Sequence, residues 1–114
     1  MADDIFCKII RGEIPTKPVY KDDDVWVIQD IHPQAPVHLL IIPARHFTGL
    51  EDVAEHGEAL LGKLFRTAHD MAKKQNLDKG YRLIVNEGQH GGKLVPHLHI
   101  HLLGGKSLGA KIVQ

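Results

Sequence analysis

Apolar residues along this chain switch between helical and alternating periods, and each period predicts an element. Ile5, Phe6, Ile9 and Ile10 recur at i, i+1, i+4 and i+5 behind Asp3 and Asp4, which can cap a helix. A short amphipathic helix is expected over 5–11, stopped by Gly12 and Pro15. Stretches 19–21 and 25–30 read as two strands of a hairpin around Asp22, Asp23 and Asp24. That triplet lacks the spaced ligands and the glycine of a calcium loop, so it is a solvated turn. Stretch 31–36 carries Pro33 and Pro36 and must be a connection. The next stretch, 37–43, is apolar enough for a central strand, and His38 interrupts it. After a polar segment at 49–57, Leu60, Leu61, Leu64, Phe65, Ala68, Met71 and Ala72 follow at three- and four-residue spacings. They predict one long helix that covers the sheet and ends at Asn76 or Gly80. A fourth strand is expected over 81–85 and a fifth over 97–103, so the elements describe an α+β fold.

The fifth strand changes the picture from fold to chemistry. His97, His99 and His101 alternate with Leu98, Ile100 and Leu102, which puts imidazoles on one face and aliphatic side chains on the other. Scattering the 9 histidines at random over 114 positions gives only ~0.05 expected runs of this kind. Upstream, Asn86, Glu87, Gly88, Gln89, His90, Gly91 and Gly92 form a loop whose glycines let backbone N–H groups approach an anion.

Composition narrows the partners. The 14 basic and 14 acidic residues cancel, so neither nucleic acid nor an anionic membrane is expected as a partner. At 114 residues the chain is expected to form a single domain, 1–114. Cys7 alone can form no internal disulfide, and it is expected to pack as a small hydrophobe with no activating partner beside it. The acidic start lacks the apolar core of a signal peptide, and no apolar run is long enough for a bilayer, so a cytoplasmic protein is the expectation. His46, His56, His69 and His90 are expected to be surface or boundary residues.

Two chemistries suit the row of imidazoles. Neighbouring rings sit about 6.8 Å apart along a strand and the outer pair about 13.6 Å apart, taking ~3.4 Å per residue. Zinc needs its nitrogens at about 2.0–2.1 Å, so two rings could share an ion and three could do so only on a bent strand. A resident metal is therefore not expected there. Nucleophilic catalysis fits better. An imidazole with a pKa near its ordinary ~6.5 is largely neutral at pH 7, can attack phosphorus directly, and leaves readily when water completes the reaction.

The run from His97 to Leu103 resembles the histidine triad signature, His-φ-His-φ-His-φ-φ with φ apolar. The likeness extends through Ile5-Phe6, Glu13-Ile14-Pro15, Asp30-Ile31, Pro33-Gln34-Ala35-Pro36, His38, Gly80-Tyr81-Arg82, Asn86-Glu87-Gly88 and Leu103-Gly104-Gly105. The chain is similar, over roughly 4–105, to the Hint branch of that superfamily, the histidine triad nucleotide-binding proteins. The resemblance implies a five-stranded antiparallel sheet with one short N-terminal and one long central helix, in a homodimer whose sheets join. It also implies hydrolysis of purine nucleoside 5′-phosphoramidates through a nucleotidyl-histidine, with no cofactor. Transferred by position, His99 would be the nucleophile, His101 and His97 would position it and contact phosphate, and His38 would support the row. Asp30 would hold the ribose hydroxyls, with Ile5, Phe6, Ile28 and Ile31 around the base. Asn86, Gly92 and Val95 would bind the phosphate region. Leu94 stands where some members have a serine near the leaving group, Pro96 replaces a frequent aromatic, and 106–114 matches little. The rival readings are a purine-nucleotide-binding regulatory or scaffold protein with little turnover, and a zinc-binding adaptor.

Overall fold

The computed structural model describes residues 3–54 and 57–113, so His56 lies outside the described residues. The elements run α1 (Ile5–Ile10), β1 (Tyr20–Lys21), β2 (Val25–Gln29), β3 (Val37–Pro43), α2 (Leu50–Ala54), α3 (Glu58–Lys74), β4 (Tyr81–Ile84) and β5 (Ile100–Gly104). The strands form one antiparallel sheet in the order β1-β2-β3-β5-β4. This is the α+β architecture expected, with two departures.

The first departure is α2, a third helix in the segment that reads as polar connection. Its one buried side chain is Val53, too little to register as a period in the sequence. One distant and one local hydrogen bond hold its start: Glu87 accepts from the Leu50 N–H at 3.2 Å, and Asp52 of the helix itself accepts from the Thr48 N–H at 2.8 Å.

The second departure concerns the histidine strand. Ladder pairing begins only at Ile100, because Pro96 has no N–H and the next two N–H groups bond outside the sheet. Just after it, the His97 N–H turns back to the Val95 carbonyl at 2.8 Å, and the Leu98 N–H bonds the Phe47 carbonyl at 2.7 Å, outside the sheet. Side-chain alternation survives: Leu98, Ile100 and Leu102 all lie in the core cluster with α3.

Each face of the sheet has its own cover. Val25 and Val27, Leu39 and Ile41, and Ile100 and Leu102 pack against Leu64, Ala68, Met71 and Ala72 of α3. The residues between them, Ile28, Leu40 and Ile42, face the other way and meet Phe6 and Ile9 of α1. Register carries His101 onto that second face, since Leu40 pairs with both Ile28 and His101. Asp4 caps α1, its Oδ1 accepting the Cys7 N–H at 2.9 Å. Helix α3 ends at Lys74 with Gln75 as its cap, and Asn76, one of the two stops expected, follows with a left-handed φ of 60°. The acidic turn is tied down as well, with Asp22 Oδ1 accepting from the N–H groups of Asp24 and Val25 at 2.8 and 2.9 Å.

Because α3 covers one whole face of the sheet, truncating its central contact should be costly. Leu64 is fully buried, and Leu64→Ala should lower the unfolding free energy by about 3 kcal/mol in urea titrations. Its neighbour Phe65 is 43% exposed, and Phe65→Ala should cost under about 1 kcal/mol. Equal losses would mean that the helix faces the sheet differently.

Candidate active site

The face under α1 is only partly filled, and the gap is a cavity of about 360 Å³. Its apolar walls include Ile5, Phe6, Ile9, Ile28, Ile31 and Leu40, and its polar groups include Asp30, Asn86, His99 and His101. Of the residues singled out from the sequence, Ile5, Phe6, Ile28, Asp30, Ile31, Asn86, Gly92, Val95, His99 and His101 all line it. His38 and His97 do not, and each sits behind a residue that does.

His99 is held by its own chain. Its Nδ1–H donates to the His97 carbonyl at 2.7 Å, an acceptor that cannot be reversed. The neutral ring therefore carries its lone pair on Nε2. The side chain is buried, with the Phe6 ring edge-on at 5.2 Å. Burial pushes its pKa below the ordinary histidine value, against the pull of the His97 carbonyl, so the ring is neutral near pH 7.

His101 is fixed by a longer chain of bonds. The Gln34 backbone N–H donates to His38 Nδ1 at 3.0 Å, which leaves the neutral His38 proton on Nε2. That Nε2–H points at His101 Nδ1, 2.9 Å away, and at Asp30 Oδ2, 3.3 Å away. His101 Nδ1 is thereby an acceptor, so its own proton sits on Nε2. Burial, with His99 and His38 adding to it, drives the His101 pKa down to about 4. Two adjacent rings, 5.0 Å between centroids, thus offer complementary functions: a lone pair on His99 and an N–H on His101.

His97 differs from its expected role of contacting phosphate. Its ring is fully buried outside the cavity, with Nδ1 3.2 Å from Asp4 Oδ1 and Nε2 3.3 Å from the Pro43 carbonyl. The physical reason is the late start of β5, which lets the chain at 97 turn toward α1 and the loop after β3. What it offers the site is its carbonyl. His46 is likewise no bystander, with Nδ1 3.2 Å from Asp4 Oδ2 and 3.3 Å from Cys7 Sγ. Cys7 is buried, as expected, but it has imidazole neighbours that are distant in sequence, and burial together with the Asp4 charge pushes its thiol pKa up. His69 and His90 are exposed, as anticipated.

The loop that follows β4 borders one end of the cavity through Asn86 and Gly92. Asn86 Nδ2 donates to the Gly91 carbonyl at 2.7 Å, and Gly92 takes a φ of +79° beside it. At Gly91 a Cβ would lie 2.2 Å from the Glu87 carbonyl oxygen, so only glycine permits this turn. Reading the sequence did not single out Ile9, Thr16, Gln29, His32 or Leu40 as cavity residues. The strand register could have found Leu40, between Ile28 and His101; Thr16 and His32 come from loops with no period to read.

Comparison with known proteins places this arrangement. The HIT domain family model matches residues 11–108, and the chain belongs to that family. It is 48% identical over 116 residues to the purine nucleoside phosphoramidase of Escherichia coli, covering 100% of this chain and 98% of that protein. An uncharacterised HIT-like protein of Synechococcus elongatus is 52% identical over 107 residues, 93% of each chain. Among solved structures, a HIT family hydrolase from Clostridium thermocellum superimposes with a TM-score of 0.92 at 42% identity, covering 99% of both chains.

The depressed His101 pKa carries a stability consequence. A group whose folded pKa lies below its unfolded value of ~6.5 contributes stability that is intact above pH 6.5 and lost as pH falls toward about 4. The melting temperature should therefore fall by several degrees between pH 6.5 and pH 4.5, and His101→Asn should flatten that fall. An unchanged profile in the variant would show that the ring is not kept neutral by its surroundings.

Proposed function

We propose that this chain is a hydrolase of purine nucleoside 5′-phosphoramidates, acting through a nucleotidyl intermediate on His99. The observation that carries the reading is the hydrogen bond from His99 Nδ1–H to the His97 carbonyl, which aims an Nε2 lone pair into an apolar-walled cavity. The similarity to a protein named purine nucleoside phosphoramidase supports the substrate class. Ile5, Phe6, Ile28 and Ile31 suit a flat base, and the Asp30 carboxylate suits vicinal ribose hydroxyls. Asn86, Gly92 and Val95 border the space for the phosphate.

In the first step His99 Nε2 attacks phosphorus, the N–P bond to His99 forms, and the P–N bond to the amine breaks. Bound phosphate raises the proton affinity of His101, so the ring takes up a proton with the substrate and gives it to the departing amine. In the second step water attacks phosphorus and neutral His101 takes its proton. His99 leaves as a neutral imidazole, and a nucleoside monophosphate is released. The His97 carbonyl faces the positive charge that His99 carries while it is nucleotidylated. The working form in this reading is a homodimer, with β4 at the sheet edge as the strand where a second sheet would join.

Incubated with adenosine phosphoramidate, the protein should release AMP. His99→Ala should lower kcat/KM at least about a thousandfold, and intact-mass analysis of an acid-quenched wild-type reaction should show a nucleotidyl adduct. Asp30→Ala should act mainly on KM, raising it by about tenfold through the loss of ribose hydrogen bonds. Retention of turnover in His99→Ala would overturn the assignment. AMP binding without turnover of any phosphoramidate would favour a nucleotide-binding regulatory protein.

A further inference from the structure

Lys93 connects the loop that follows β4 to the entry of β5. It does not line the cavity, yet its side chain is only 11% exposed. Its ammonium donates to the Thr48 carbonyl and lies 3.4 Å from Glu87 Oε1. The other carboxylate oxygen, Glu87 Oε2, accepts from the Leu50 N–H at 3.2 Å. We infer that Lys93 is a positioning residue for the proposed hydrolysis: with Glu87 it clamps the loop onto segment 47–50 and so fixes Asn86 and Gly92 at the rim of the cavity that His99 lines. The inference rests on the reading of His99 as the nucleophile.

Segment 47–50 is a firm anchor. Phe47 is buried and its carbonyl accepts from the Leu98 N–H at 2.7 Å, while Asp52 holds the Thr48 N–H at 2.8 Å. The seat for Glu87 is Gly49, where a Cβ would lie 2.4 Å from Oε2 and would push the flexible carboxylate away. On the loop side, the Lys93 N–H donates to the Gly88 carbonyl at 3.2 Å and the Gly92 N–H to the Gln89 carbonyl at 3.0 Å. A shift of Lys93 is therefore passed to the residues at the rim. Glu87 is 43% exposed, so the ion pair adds little to folding, and its worth lies in where it holds the loop and the charge.

That charge also reaches the nucleophile. Burial is the larger cause of the low His99 pKa, and the Lys93 ammonium adds to it, against the His97 carbonyl, Asp30 and Asp4. The rings of His97 and His101, on the same stretch of chain as His99, are themselves pushed toward the neutral form by burial. Lys93 is thus the one cation among the charged groups that act on His99, and it favours the unprotonated ring that attack on phosphorus requires. Through the loop it sets geometry, and through space it opposes protonation of His99.

Steady-state kinetics of the full chain on adenosine phosphoramidate, measured across pH, test the clamp. Lys93→Met should lower kcat about tenfold and leave KM within about threefold, because misplaced rim groups tell chiefly in the transition state. The acid limb of its kcat/KM profile should move to higher pH, since His99 regains proton affinity. Lys93→Arg, which keeps the charge, should recover most of kcat and leave the limb in place. Glu87→Gln should also lower kcat but move the limb the opposite way, to lower pH, because the Lys93 charge is then less opposed. Gly49→Ala should reproduce the kcat loss with Lys93 and Glu87 both present, and with Glu87→Gln it keeps the test available if Lys93→Met does not fold. Wild-type kcat in the Lys93 and Glu87 variants would overturn the inference. A loss of kcat with an unmoved acid limb in both would also overturn it, by making the contact purely structural. Absence of turnover in the wild type would remove the hydrolase reading and this inference with it, a failure distinct from equal turnover in wild type and variants.

Discussion

The contact on which the rest of the site depends is a bond to the main chain: His99 Nδ1–H donating to the His97 carbonyl. A carbonyl cannot exchange roles, so the neutral ring has one tautomer, and Nε2 keeps the lone pair that nucleophilic attack requires. That carbonyl is in place because the chain enters β5 late. Pro96 cannot donate, the Leu98 N–H is taken by Phe47, and His97 is folded under α1 instead of along the sheet. A backbone irregularity of a few residues thus decides the chemistry of one ring.

His101 is oriented by different means to a complementary end. Its tautomer descends from the Gln34 N–H through His38, while Asp30 shares the His38 proton. Burial keeps both rings neutral, so the pair offers the cavity one acceptor and one donor. The charge arrives with the ligand. That ordering suits a site whose walls are mostly aliphatic and would hold an isolated imidazolium poorly.

Much of this was legible in the sequence because it follows from periods. Alternation over 97–103 assigned the faces correctly, with Leu98, Ile100 and Leu102 under α3, and the spacing from Leu60 to Ala72 located α3 itself. Short range also sufficed for the Asp4 cap and the stop at Asn76. Periodicity was silent on α2, which has one buried residue and is held by Glu87 from 37 positions away. The period put His97 on the face of His99, where Phe6 meets both rings, but it carries no information on where a strand stops pairing; the phosphate contact expected of His97 came from the resemblance. His46 was read as a surface residue because its partners Cys7 and His97 lie 39 and 51 positions distant. The residues of the cavity that came from loops, such as Thr16, had no pattern to betray them.

The central claim is a proton position, and it can be observed directly. Nitrogen-15 NMR of histidine-labelled protein at pH 7, assigned by loss of signals in His99→Asn, should show His99 protonated on Nδ1 with a bare Nε2. A His99 ring protonated on Nε2 would contradict the account, because the lone pair would then face the His97 carbonyl and no nucleophile would face the cavity.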